Sequence, residues 1–213
     1  MSDKIHQEHK EREHFFSAAK LVGVITLISR IFGMLRDMAI TSLGASRYTD
    51  AYGFAFQIPN LFRRLFGEGA LASAFVPVFT DEIEKSGLES ARKLLANALG
   101  LLAVLLLVIM IVVQIGFIVV VLLPGPADRK LLMTLAAIMF PYMVTVCLLA
   151  MGSAALNCRG HFAFPAAAPI IFNIVGIIAA WWIAPVLKNN LRGQLMIVAI
   201  SVTAAGVIQL IAV

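Results

Sequence analysis

Charged residues are scarce. Asp, Glu, Lys and Arg make up 14% of the 213 residues, where soluble domains carry about 25%. That scarcity argues against a soluble enzyme and against a disordered chain. Cysteine is scarcer still: Cys147 and Cys158 are the only two. They lack metal-ligand spacing and form no CxxC, which excludes a disulfide scaffold and leaves both as packing residues. No P-loop, HExxH, nucleophile elbow or clustered acid pair is present, and no His falls inside a predicted span, which disfavours a membrane-embedded enzyme. No cleavable signal peptide is visible, because the first 13 residues are polar and charged and no small-residue cleavage site follows the first apolar run.

What the sequence has instead is apolar material, 61% of its residues, with a mean hydropathy of +0.93. It comes in long blocks. Leu94–Pro126, Leu131–Cys158, Gly160–Leu187 and Gly193–Val213 contain no Asp, Glu, Lys or Arg. Each reaches the roughly 20 residues that carry a helix across a ~30 Å hydrocarbon core. The expected fold class is therefore an all-α polytopic membrane protein. A polar N-terminal extension occupies residues 1–14, and six spans follow at about 15–43, 48–78, 94–123, 131–156, 162–187 and 194–213. Residues 80–93 read as a polar connection leading into an amphipathic stretch. PGPADRK (124–130) and NCRGH (157–161) read as turns. The last apolar run continues to Val213, which suggests either an end at the bilayer interface or the front part of something longer.

The net charge of +5 would point to nucleic acid in a soluble chain. Here basic residues between spans set topology instead, and no nucleic-acid partner is expected. One side carries Lys4, Lys10, Arg12, Lys20, Lys85, Arg92, Lys93 and Arg159; the other carries Arg47, Arg129, Lys130, Lys188 and Arg192. That bias places the N-terminus in the cytoplasm. His6 and His9 belong to a solvated tail, since no third and fourth metal ligands are defined.

Four basic residues remain, and all fall inside the first two apolar segments: Arg30, Arg36, Arg63 and Arg64, together with Asp37 and Glu68. A membrane-buried Arg costs at least ~2.5–3.5 kcal/mol on insertion scales, so such residues face a bundle interior or a water-filled cavity. Arg30 and Asp37 share a helix face two turns apart, and Arg64 and Glu68 at i, i+4 can pair directly. Those pairings would leave Arg36 and Arg63 as the more available cations. Four positive and two negative charges leave a surplus that calls for an anion, a water-filled cavity or both. Asp50, at the start of the second segment, reads either as a helix cap following Thr49 or as a gating salt bridge or cation site.

Pro59, four residues before Arg63, and the Gly67-Glu68-Gly69 run beyond it predict a kink or local unwinding. Pro141, Pro165 and Pro169 read as ordinary kinks. The third span looks mostly lipid-facing, with Gln114 its one clearly polar residue, and Trp181 and Trp182 read as interface anchors.

The runs SRIFGMLRD (29–37), TDAYGFAFQIPNLFRRLFGEGALASAFVPVF (49–79) and FPYMVTVCLLAMGSAALNCRGHFAFPAAAPIIFNI (140–174) resemble the MurJ/MviN family of lipid II flippases, within the multidrug/oligosaccharidyl-lipid/polysaccharide exporter superfamily. The resemblance implies a bacterial inner-membrane transporter of two six-helix lobes plus two extra helices, of which this chain matches the N-terminal lobe. It implies a central cationic cavity that accepts the diphosphate-linked peptidoglycan precursor lipid II and moves it outward by alternating access. Arg30, Arg36 and Arg63 would be substrate-binding arginines. Asp37, Asp50, Arg64 and Glu68 would form a gating or structural charge network. No catalytic residue, metal or cofactor is implied, only coupling to membrane potential or a monovalent cation. A lone lobe would need the missing C-terminal lobe or self-association. The alternatives are an exporter of another polyprenyl-linked glycan, a drug/cation antiporter, for which a carboxylate-dominated site would be expected, and a non-transporting scaffold.

Overall fold

A computed structural model describes residues 2–44, 46–67, 70–188 and 190–212, with side chains placed for 20–44, 46–65, 73–188 and 190–212. Seven α-helices follow in order: α1 (Ser2–Ser42), α2 (Arg47–Phe62), α3 (Ala70–Leu122), α4 (Ala127–Met139), α5 (Tyr142–Cys158), α6 (Ala163–Ile178) and α7 (Leu191–Ala212). A π-helical turn at Arg63–Gly67 follows α2; a second π-helical turn and a 3-10 turn extend α6 to Val186. No strand occurs among the described residues. The fold is the expected all-α polytopic architecture, with α4 and α5 forming one bent span.

The polar extension at residues 1–14 is helical, the start of an α1 that runs without a break from Ser2. The polar connection at 80–93 is helical too, because Thr80–Lys93 lies within α3, and the break is confined to Gly87 at φ 82°. Left-handed backbone there suits glycine. Some charges of this stretch find partners along the helix: Lys85 pairs with Asp81 at 2.8 Å and Ser90 Oγ donates to Glu82 across the break. A run of polar residues therefore needs no loop.

The bend between α4 and α5 shows how the bundle handles a proline. Pro141 has no N–H, so the carbonyl four residues earlier, on Ala137, loses its helical donor. Inside a bilayer an orphaned carbonyl must find protein. Gln114 Nε2 of α3 donates to Ala137 O at 3.1 Å, and Thr203 Oγ1 of α7 donates to the neighbouring Ile138 O at 2.7 Å. Gln114, the one polar residue between Ala98 and Leu123, is a partner for the proline bend. Elsewhere that span fits its lipid-facing reading, with Leu101, Val104, Val112 and Leu122 exposed.

The core lies along α4, α5 and α7, where Leu135, Met139, Met143, Leu195 and Val198 are fully buried. Tight approach of α5 and α7 depends on Gly206, at which a Cβ would run into Tyr142 and Thr145. The turns sort onto two ends. Arg47 reaches to 3.8 Å from Asp128, and Gly44 faces Leu191, so the turns at 43–47, 124–128 and 188–191 share one end.

Candidate functional site

The site is built around Arg36. Its guanidinium lies over the rings of Phe56 at 5.5 Å and Phe172 at 5.2 Å, its Nη1 donates to Asn173 Oδ1 at 3.1 Å, and its Nη2 and Nε donate to Asp37 Oδ1 at 2.7 and 3.2 Å. Each partner comes from a different place: Asp37 from α1, Phe56 from α2, Phe172 and Asn173 from α6. Gly176 makes room for the stem, since a Cβ there would come within 2.9 Å of Arg36 Cγ and Cδ. Asn173 is 6% exposed and donates through Nδ2 to Ser29 O of α1 at 3.0 Å. That bond orients its Oδ1 toward Arg36. Two ring faces, a neutral amide and the Asp37 carboxylate together fix the cation in place.

Arg63 stands in the π-helical turn after Pro59, where the helix unwinds as expected. Its Nε donates to Asn60 Oδ1 at 2.9 Å. Arg36 and Arg63 both line a cavity of about 390 Å³ that also takes in Asn60, Ser153, Asn173 and Gln209. Among the described residues no carboxylate lines it. Gln209 is 3% exposed; its Nε2 donates to Ala168 O at 2.6 Å, which leaves Oε1 as a buried acceptor without a partner among the described residues.

A second cavity, about 560 Å³, adjoins the first through Arg36 and Phe56. Its charged lining is mixed: Arg36 and Arg47 with Asp37 and Asp50. Asp50 is not the cap of α2. Ser46 is, accepting from Tyr48 N at 3.2 Å, while Thr49 Oγ1 accepts from Ser46 N at 2.9 Å. Asp50 sits in the first turn, where a carboxylate complements the helix dipole.

The sequence-derived residues therefore divide. Arg36, Arg63, Asp37 and Asp50 come together across the two cavities. Arg30 and Arg64 are exposed and line neither of them. Asp37 pairs with Arg36 and not with Arg30, because Arg36 is pinned close by and two turns of helix separate Arg30 from the carboxylate. The Arg64–Glu68 pairing involves Glu68, which lies outside the described residues. Sequence reasoning missed Asn60, Phe172, Asn173, Gly176 and Gln209. Asn60, three residues before Arg63, was detectable from helix spacing; the others lie more than 130 positions from Arg36 in the chain.

Long apolar helices around adjoining charged cavities define a multi-pass α-helical membrane protein with a polar interior. Comparison with known proteins narrows this class. A model of the family "Lipid II flippase MurJ" matches residues 39–213. The "Probable lipid II flippase MurJ" of Rhizobium tropici is 43% identical over 169 residues, covering 76% of this chain and 32% of the relative. The "Lipid II flippase MurJ" of Burkholderia cenocepacia is 38% identical over 183 residues, covering 82% and 35%. A solved structure, "Lipid II flippase MurJ, inward closed conformation", superposes with a TM-score of 0.69 at 27% identity, covering 90% of this chain and 40% of that one. The chain belongs to the MurJ lipid II flippase family. It spans about a third of the length of the curated relatives it matches, a coverage consistent with an N-terminal lobe.

Proposed function

We propose that this chain is the N-terminal lobe of a transporter that moves lipid II from the cytoplasmic to the outer leaflet of the bacterial inner membrane. The N-terminus lies in the cytoplasm, and alternating access is achieved by rocking against a second lobe. The carrying observation is the cavity in which Arg36 and Arg63 converge. A diphosphate and peptide carboxylates need cations, and the planar fork of arginine suits phosphate oxygens. Asn60, Ser153, Asn173 and the unpartnered Gln209 Oε1 supply neutral hydrogen-bonding groups for the sugar and peptide portion. Arg30 and Arg64, exposed on this lobe, are available to a second lobe or to substrate. The neighbouring Asp37–Asp50 cavity is where coupling to membrane potential or a monovalent cation would act. The role is transport, not bond-making chemistry, and the arginine-rich inner cavity disfavours a cation antiporter.

Lipid II accessibility at the outer face of cells depleted of their own flippase tests this. The cells carry this chain, the chain extended through the remaining helices of a relative, or the extended form with Arg63→Ala. Restoration only by the extended form supports a lobe that works in a pair; restoration by the chain alone supports self-association. The Arg63→Ala form is expected to insert but not restore. If the extended form inserts and outward lipid II stays absent, the substrate assignment fails.

A further inference from the structure

On another side of α5, away from the arginine cavity, a groove of about 550 Å³ runs between α3, α5 and the end of α7. Ligand pockets commonly fall at roughly 300–1,000 Å³. Leu95, Leu99 and Ala103 of α3 face Leu148, Gly152 and Leu156 of α5 along it. The two helices run antiparallel there, so Arg92 near the Gly87 break and Arg159 at the end of α5 stand together at one mouth. From Arg92 to Ala103 the groove follows α3 for about 16 Å at 1.5 Å per residue, half of a ~30 Å hydrocarbon core. It is one leaflet deep, apolar along its length and doubly cationic at its mouth.

Among the described residues neither guanidinium pairs with a carboxylate. Glu89, the nearest acid in sequence to Arg92, pairs with Lys93, and Arg159 makes its hydrogen bonds through its backbone alone. The floor is open: a Cβ at Gly100 or Gly152 would meet nothing within 4 Å.

We propose that this groove binds an anionic glycerophospholipid, with the phosphate on Arg92 and Arg159 and an acyl chain along the floor between α3 and α5. Charge complementarity decides among occupants. An apolar helix laid here would bury two arginines against no acid, which is strongly unfavourable, whereas a lipid phosphate supplies the counter-charge at headgroup depth. The one-leaflet depth suits a phospholipid and is short for a long polyprenyl chain. Leu149 lines both this groove and the arginine cavity, so a lipid seated here bears on the wall that separates them. The proposal stands independently of the lipid II reading.

The test is a native mass spectrometry titration of the purified 213-residue chain in a neutral detergent, using phosphatidylglycerol and phosphatidylcholine with identical acyl chains. Phosphatidylglycerol is expected to bind more tightly. The double variant R92Q/R159Q should weaken it about 25-fold, at roughly fivefold per arginine, down to the phosphatidylcholine level. R92K/R159K should retain most of the preference, and Gly152→Leu should weaken both lipids by filling the floor. Circular dichroism verifies that each variant keeps its helix content. Equal binding of the two lipids to the unmodified chain would overturn the proposal, as would undiminished phosphatidylglycerol binding by R92Q/R159Q. Displacement of phosphatidylglycerol by an equimolar polyprenyl phosphate would assign the groove to that lipid instead. Competition by equimolar glycerol 3-phosphate would reduce it to a phosphate site. Loss of binding in the chain extended through the remaining helices of a relative would make it a contact between segments.

Discussion

The first two helices and the four later spans are held in the bundle by different forces. Among the described residues, four helical runs are long and apolar enough to cross a membrane by themselves: Ser73–Leu122, Ala127–Cys158, Ala163–Val186 and Leu191–Ala212. Neither α1, with Arg30, Arg36 and Asp37, nor α2, followed by Arg63 and Arg64, is one of them. A lipid bilayer alone does not retain such helices cheaply. They are retained by partners: Asn173 reaches from α6 to the backbone of α1 and to Arg36, and Phe56 and Phe172 close around the cation. The polar site is thus carried by the helices least able to stand in lipid alone, and the apolar spans act as their scaffold.

Substitutions can break this contrast, beginning with the largest expected effect. Arg36→Ala removes a charged hub and leaves the buried Asn173 Oδ1 without its donor, while Asp37, 68% exposed, remains hydrated. It should cost about 1–3 kcal/mol of stability, at the scale of an unsatisfied buried polar group, and should abolish outward lipid II in the extended chain. Thermal unfolding in detergent and the cell assay read the two effects separately. Gly206→Val tests the scaffold side. It forces a branched side chain into Tyr142 and Thr145, and overpacking of this kind costs about 1–3 kcal/mol; a lowered unfolding temperature is expected.

Gln114→Leu sharpens the comparison, because it removes the only polar service that the lipid-facing stretch performs. Loss of the bond to Ala137 O should cost about 1 kcal/mol, at the scale of interhelical hydrogen bonds in membranes, with faster hydrogen exchange around Pro141. Leu101→Ala should do least. Leu101 is 75% exposed on α3, and its truncation should shift stability by about 0.5 kcal/mol or less. A large loss there would mean that this surface is covered by protein.

Much of the architecture was legible because spanning a bilayer demands long charge-free runs, and these show plainly between Leu94 and Val213. Arg36, Arg63, Asp37 and Asp50 stood out for the same reason: a charge inside an apolar segment needs an explanation. The polar stretch at 80–93 misled, since local polarity marks solvent exposure and does not by itself end a helix. Pairing misled as well. Helix spacing proposed Arg30 for Asp37, but a long arginine side chain folds back onto its own neighbour when two rings and an amide hold it there. Asn173 and Gly176 carried no signal of their own, as an asparagine and a glycine in an apolar span have many ordinary explanations.

By itself the sequence determined the class of molecule and the family, because hydropathy and local motifs are properties of short stretches. Tertiary structure alone decided which polar groups meet. It brought Asn173 and Phe172 to Arg36, Gln209 into the cavity beside Arg63, Gln114 to the carbonyl orphaned by Pro141, and Arg92 and Arg159 to the lining of one groove. Those contacts join positions distant in the chain, and their geometry follows from helix packing and from the need to satisfy every polar group where no water can reach.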